Sequence, residues 1–288
     1  MRTRIPKPAL ALLIALLLVG NALLFTAILR PDTSTLAVAF LDVGQGDAIY
    51  IESPTGVDLL IDGGKDKSAV RELSKVMGPL DRRIDIVLAT HPDADHIGGL
   101  PDVLSRYRVG TVLESGKAGD SSQADRFTDS IRREAGAAYG IAKQDMRIHL
   151  GEGVYADVLF PEGDAKKLRE TNDASVILRL VYGESEFMLT GDAPSWVEER
   201  LVQKYGRGLR SDVLKAGHHG SRTSSSDVFL FAVMPQTVVV SAGKDNPYGH
   251  PHPEVLDNVR EIGATVVSTA ESGTIVFRSD GKSVTRVR

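Results

Sequence analysis

Ile84-Asp85-Ile86-Val87-Leu88-Ala89-Thr90-His91-Pro92-Asp93-Ala94-Asp95-His96 is the stretch that decides how this chain is read. The apolar run Ile84–Thr90 predicts a buried strand. The six residues that follow carry two imidazoles and two carboxylates. A strand end delivers such a loop to the edge of a sheet, where it is free to bind. Ligand-type side chains packed this tightly repel one another unless a cation sits among them. A mixed nitrogen and oxygen shell suits Zn²⁺, Mn²⁺ or Fe.

Four further strand ends carry the same residue types. Asp62 ends Leu59–Ile61, with Gly63-Gly64 allowing a close turn. Asp192 follows Phe187–Gly191. His218 and His219 follow Val213–Gly217. His250 sits in Asn246–Pro251, after Val238–Ser241. Singly, an Asp after a strand is a turn former and a His pair is a polar loop. Together, five strand ends point to one metal site. Its candidate residues are His91, Asp93, Asp95 and His96 of the loop with Asp62, Asp192, His218, His219 and His250.

The chain has 288 residues, a net charge of −4 and no cysteine. Disulfides, a zinc ribbon and a thiol nucleophile are therefore excluded, and any metal must be held by His and carboxylate. The mildly acidic balance argues against a broad basic nucleic-acid surface, though a local groove remains compatible with it. Pro8–Leu29 holds no charged residue. As a helix it extends about 33 Å, enough for a hydrocarbon core of about 30 Å. Arg2, Arg4 and Lys7 precede it, which puts the N-terminus in the cytoplasm and the bulk outside. A cleaved signal peptide is the rival reading; the long apolar region and the poor small-x-small site at Phe25-Thr26-Ala27 favour an uncleaved anchor. The expected division is a basic N-terminus over 1–7, an anchor over 8–29, a polar linker over 30–35 and a domain over 36–288.

Within the domain, Leu36–Val43 and Ala48–Ser53 read as a hairpin turning at Gly44-Gln45-Gly46-Asp47. Ser68–Met77, Ile97–Arg106, Ser121–Ala135, Ser195–Tyr205, Asp227–Met234 and Glu254–Ile262 read as helices, the fifth N-capped by Ser225 or Ser226 unless a phosphate binds there. His149 reads as an ordinary strand residue and Trp196 as helix packing. Two mixed sheets between helices, a four-layer αβ/βα sandwich of the α/β class, fit the pattern.

His91-x-Asp93-x-Asp95-His96 resembles the His-x-His-x-Asp-His signature of the metallo-β-lactamase superfamily. Asp42–Asp47, Leu189–Asp192, Leu214–Ser221 and Tyr248–Pro251 resemble, as a set, the C-terminal hydrolase domain of ComEC-type competence proteins. The likeness spans roughly residues 36–288; the family's channel helices have no counterpart here. Asp93 stands where the superfamily has a second His, a departure ComEC-type domains share, which tilts the site toward harder ions such as Mn²⁺. The superfamily's His between residues 96 and 192 is also missing. Asn172, in Asn172-Asp173-Ala174-Ser175, takes the corresponding place as a weak ligand.

The resemblance implies two divalent metal ions, Zn or Mn. Asp95, His96 and one of His218 or His219 would bind one ion, His91 and Asp93 the other, with Asp192 between them and Asp62 behind a ligand imidazole. Lys215, Ser221 and His250 are candidates to bind phosphate or protonate the leaving oxygen, so Asp95, His218, His219, Lys215 and His250 are the candidate catalytic residues. The expected protein is a membrane-anchored extracytoplasmic phosphodiesterase, a nuclease acting on DNA during uptake, with single-stranded DNA and an uptake channel as partners. Arg82-Arg83, Arg106/Arg108 and Arg132-Arg133 are scattered and read as solvated surface. Alternatives are a phosphodiesterase on wall polymers or phosphorylcholine esters, and a non-catalytic metal-stabilised scaffold.

Overall fold

The computed structural model describes residues 6–28, 35–78, 80–134 and 136–288, of 22–28 the backbone alone. The basic residues Arg2 and Arg4, position 29, linker residues 30–34 and the last residue of the Ser121–Ala135 helix lie outside the described residues. An α-helix spans Lys7–Ile28, and its described side chains are exposed. Those side chains cover about 22 Å of helix. Among the described residues no helix is long and apolar enough to cross a membrane.

Among the described residues fifteen strands follow, in two sheets. The first sheet holds β1 (Leu36–Phe40), β2 (Ile49–Glu52), β3 (Asp58–Ile61), β4 (Arg83–Ala89), β5 (Arg108–Glu114) and β6 (Ala138–Ile141). The second holds β7 (Arg147–His149), β8 (Val154–Phe160), β9 (Ile177–Tyr182), β10 (Ser185–Leu189), β11 (Val213–Lys215), β12 (Thr237–Val240) and β13 (Thr265–Ser268). β14 (Ile275–Ser279) and β15 (Val284–Arg286) return to the first, giving β15-β14-β1-β2-β3-β4-β5-β6 against β13-β12-β11-β10-β9-β8-β7.

Side-chain alternation along the strands builds the layers. Leu36, Val38 and Phe40 of β1 enter a core between the sheets, while Ala39 and Leu41 face the helices outside the first sheet. In β12, Val239 faces the inter-sheet core and Val238 and Val240 face helices outside the second. Successive residues of a strand point to opposite faces, so strands buried on both sides read as continuous apolar runs. The result is the expected four layers, with helices on the outside of each sheet.

One expected helix needs correction, and two features go beyond the sequence reading. The helix Ile97–Arg106 is two short helices, Ala94–Ile97 and Leu100–Arg106. They break at Gly98-Gly99, where an added Cβ would meet the backbone oxygens of Lys65 and Gly63 at 2.2 and 2.1 Å. Residues 138–141, which carry a glycine and mostly exposed side chains, form edge strand β6, parallel to β5. Ser226 is the N-cap of helix Asp227–Val233, as expected, but its side chain makes no capping bond; Glu198 instead fixes the approach to the helix, accepting from the backbone N–H of Ser225 and Ser226 at 2.6 and 2.8 Å.

β3, β4 and β5 run parallel, as do β10, β11 and β12. Their C-terminal ends therefore gather at one end of the sandwich. Asp62, His91, Asp192 and His219 all follow such ends.

Candidate metal centre

The loops at that end are shaped by backbone that ordinary side chains resist. Gly46 has φ +117, and a Cβ there would lie 2.0 Å from the Asp95 oxygen. This close approach seats Asp47 against the His91–His96 loop, its N–H donating to Asp95 O at 3.3 Å. His218 and His219 both adopt positive φ, 46 and 57. Two consecutive non-glycine residues in this region are costly and are held only where surrounding structure demands them.

The imidazoles are fixed from behind. His96 Nδ1 donates to Asp62 at 2.8 Å, and His219 Nδ1 donates to the Ser241 carbonyl at 2.8 Å. Thr90 Oγ1 donates to Asp62 at 2.7 Å, which leaves its oxygen to accept from His91 Nδ1 at 3.0 Å. Each relay assigns the ring proton to Nδ1 and leaves Nε2 as a lone pair. The Nε2 atoms of His91, His96 and His219 are buried without a hydrogen-bond partner, as is Oδ1 of Asp192.

Two of those nitrogens converge on Asp192 and Asp95. His96 Nε2 lies 3.2 Å from Asp192 Oδ2, and His219 Nε2 lies 3.3 Å from that oxygen and 3.4 Å from Asp95 Oδ2. Four ligands at about 2.1 Å around a tetrahedral ion stand about 3.4 Å apart. Lone pairs and carboxylates at this spacing, with no donor between them, fit a divalent cation. Without one, the rings must hold protons: burial opposes the charge on His96, but Asp192 and Asp62 hold its pKa well above the usual value. Asp192 and Asp47 do the same for His219. A buried cluster of Asp47, His96, Asp192 and His219 offers ligand atoms all within 4.8 Å of one another.

A second group lies beside it. His91 Nε2 is 3.7 Å from Asp93 Oδ2, and the His91 and His96 rings are 4.1 Å apart. The Asn172 side-chain oxygen is buried with no partner. Burial lowers the His91 pKa to about 3, so the ring is neutral and able to bind metal.

Between His218 and His219 the geometry decides. His219 is buried with Nε2 in the cluster. His218 is 30 % exposed, bonds Thr223 through Nδ1 at 3.2 Å and stands 3.6 Å from Asp192, at the mouth. His250 lies beside it, ring centroids 5.6 Å apart, and burial together with His218 and His219 lowers its pKa to about 4.

Lys215 requires correction as a substrate or proton-transfer group. It is completely buried, its ammonium 2.6 Å from Asp47 and 3.1 Å from the Gly191 carbonyl. It therefore lies beneath the site. Burial pushes the Asp47 pKa up, but Lys215 and then His219 pull it down to about 2. Ser221 is likewise buried, its Oγ accepting from Thr223, so it shapes the His218 loop. Asp47 is a site residue that the sequence reading missed, and Glu198 a buried carboxyl that holds the backbone after the His218-His219 loop. Asp47 stood in view at the end of Asp42–Asp47; nothing around Glu198 in sequence marks it.

The family model of the metallo-β-lactamase superfamily matches residues 41–244, and the chain belongs to that superfamily. Within it the chain is 30% identical over 258 residues to ComE operon protein 3 of Bacillus subtilis, covering 84% of this chain and 33% of that protein. It is 33% identical over 252 residues to competence protein ComA of Neisseria gonorrhoeae, covering 86% and 33%. Recombination protein 2 of Haemophilus influenzae is 30% identical, covering 90% and 30%. These are the ComEC-like family, and the chain spans about a third of their length. Among solved structures, CmlA, a diiron β-hydroxylase from Streptomyces venezuelae, superposes with a TM-score of 0.51 at 17% identity, over 82% of this chain and 53% of CmlA. Zn²⁺-bound PqqB from Methylobacterium extorquens gives 0.50 at 14%, over 78% and 85%. Both likenesses are of fold.

Proposed function

We propose that this chain is a membrane-anchored, extracytoplasmic, metal-dependent phosphodiesterase that cleaves DNA during uptake. The observation that carries the reading is the convergence of unpartnered His96 Nε2 and His219 Nε2 with Asp95 and Asp192 at 3.2 to 3.4 Å. Asp95, His96, Asp192 and His219 would hold one ion, and His91 and Asp93 a second, with Asp192 serving both. Five carboxyl groups, Asp47, Asp62, Asp93, Asp95 and Asp192, against one ammonium leave four negative charges when ionised, the charge of two divalent ions. Such ions lower the pKa of water toward 7 and offset charge on phosphoryl oxygens. An oxygen-rich ligand set favours Mn²⁺, with Zn²⁺ compatible.

The chain's own groups do the rest. Asp62 holds His96, and through Thr90 holds His91, so that both present Nε2 to the centre. Ser241 does this for His219. His218 and a neutral His250 stand at the mouth, where an N–H can donate to a phosphate oxygen or to the leaving group. DNA as substrate and a DNA-uptake channel as partner are supported by relatives named for competence. The anchor and the outward orientation rest on the sequence, uncharged over residues 8–29 and preceded by Arg2, Arg4 and Lys7.

The test is hydrolysis of end-labelled single-stranded and duplex DNA by metal-stripped protein reloaded with Mn²⁺ or Zn²⁺, beside Asp192→Ala. Metal-dependent shortening lost in the variant is expected. An active Asp192→Ala protein, or shortening in chelator, overturns the reading.

A further inference from the structure

We infer that the end of the sandwich opposite the metal centre is a docking surface for anionic lipid headgroups, and that it turns the metal centre away from the bilayer. The inference rests on the anchored reading above. β1 runs parallel to β3 and β4 through two antiparallel neighbours, so its first residue, Leu36, lies at the end where β4 and β5 begin. The chain from the N-terminal helix therefore enters the domain at that end. The entry is pinned there by Arg278, whose guanidinium donates to Thr35 at 2.9 Å.

The same end carries a cleft of about 560 Å³ lined by four arginines, Arg82, Arg83, Arg106 and Arg108, with Glu134 as the acid among its lining residues. Arg82 and Arg106 flank β4 and β5, whose first residues, Arg83 and Arg108, are paired in register. Arg83 also pairs with Asp85 at 2.5 Å. Four guanidiniums around one cleft repel each other, and an anion relieves that repulsion. Beside them Leu80 is 82 % exposed, more than any other large apolar side chain described. Asp81 lies between Leu80 and Arg82, its carboxylate turned to the backbone N–H of Arg83 at 3.0 Å. An exposed leucine close in sequence to a basic cleft is the pattern of a membrane-surface contact, with the apolar tip entering the headgroup region and the charges meeting phosphates.

The metal centre follows β4 at its far end, about 20 Å of strand from Arg83. A nucleic acid being cut there does not need the arginine cleft, and Leu80 has nothing to offer a phosphodiester backbone. A lipid surface uses both features. Four of the six arginines that lie scattered in the sequence thus become one patch through the pairing of β4 with β5.

The chain has no cysteine, so Leu80→Cys and Tyr248→Cys each create a unique labelling position. Tyr248 is exposed and stacks on His250 at the metal-centre end. Among the described residues the three apolar cores draw none from the N-terminal helix, and residues 35–288 are used for the measurement. Each variant carries an environment-sensitive dye and is mixed with vesicles of phosphatidylcholine, or of phosphatidylcholine and phosphatidylglycerol in equal parts. The expected result is a blue shift at position 80 with anionic vesicles alone, no shift at 248, and binding that falls with salt. Replacing Arg82, Arg106 and Arg108 by Ser should weaken vesicle binding about fivefold for each arginine removed. No shift at 80, an equal shift at 248, or binding indifferent to the arginines overturns the inference. So does a cleft that loses oligonucleotide binding on those replacements while vesicle binding stays unchanged. Diester hydrolysis by the same samples, and alkaline extraction of the full chain from membranes, report the catalytic and anchored readings separately.

Discussion

Lys215→Met should destabilise this domain strongly although it replaces no proposed metal ligand. The ammonium is completely buried, 2.6 Å from Asp47, 3.1 Å from the Gly191 carbonyl and 3.6 Å from Asp192. Methionine fills the stem's volume but leaves Asp47, 1 % exposed, as a buried carboxylate without its partner. Removing one member of a buried ion pair costs about 3–5 kcal/mol. For a domain of this size that lowers the melting temperature by roughly 6–20 °C. The comparison is Arg179→Met, which breaks a pair with Glu186 in which both side chains are about a fifth exposed; that change should cost about 1 kcal/mol or less. The assay is urea unfolding in chelator, so that bound metal does not mask the difference. Lys215→Met/Asp47→Leu should recover part of the loss, because it removes both charges. A single variant within about 1 kcal/mol of the parent, or a double variant as unstable as the sum of the singles, would refute the reasoning.

Three further outcomes are expected. His219→Gln should lose metal, whereas His218→Gln should keep its metal content and lose turnover, as read by metal analysis beside diester hydrolysis. Asp62→Ala removes the acceptor that fixes His96 and, through Thr90, His91, and should weaken metal binding about 10- to 100-fold without abolishing it; a titration with unchanged affinity contradicts this. Burial raises the Glu198 carboxyl to about 7 from an ordinary 4.5, with the N–H donors of Ser226 and Ser225 pulling the other way. A carboxyl raised in the folded state favours folding below pH 4.5 and loses that contribution as pH rises through 7. Stability relative to Glu198→Gln should therefore fall by about 3 kcal/mol across that window, and a flat difference would show that the carboxyl is not buried as described.

The layered fold was legible because its strands are buried on both faces and so read as apolar runs, each ending in a residue that carries chemistry. Asp62, His91, Asp192 and the pair His218-His219 stood out on that ground. The choice of His219 over His218 did not, because it depends on two positive-φ residues turning adjacent side chains in different directions. Lys215 was misread for a related reason. A lysine ending a strand reads as solvent-facing until the other sheet's loop brings Asp47 over it. Strand β6 was invisible because an edge strand with a glycine and exposed side chains has no period of its own. Glu198 lay on a helix with an ordinary pattern, and only the fold aims it at the backbone of Ser225 and Ser226.

The most direct test of the central claim is metal stoichiometry and activity on one sample. Protein purified without chelator is analysed for Zn and Mn, stripped, reloaded, and assayed on single-stranded DNA at each stage. Two ions per chain, activity lost on stripping and restored with Mn²⁺ or Zn²⁺, is the predicted result. Cleavage that persists in the stripped protein, or a reloaded chain that binds no metal, would contradict the account.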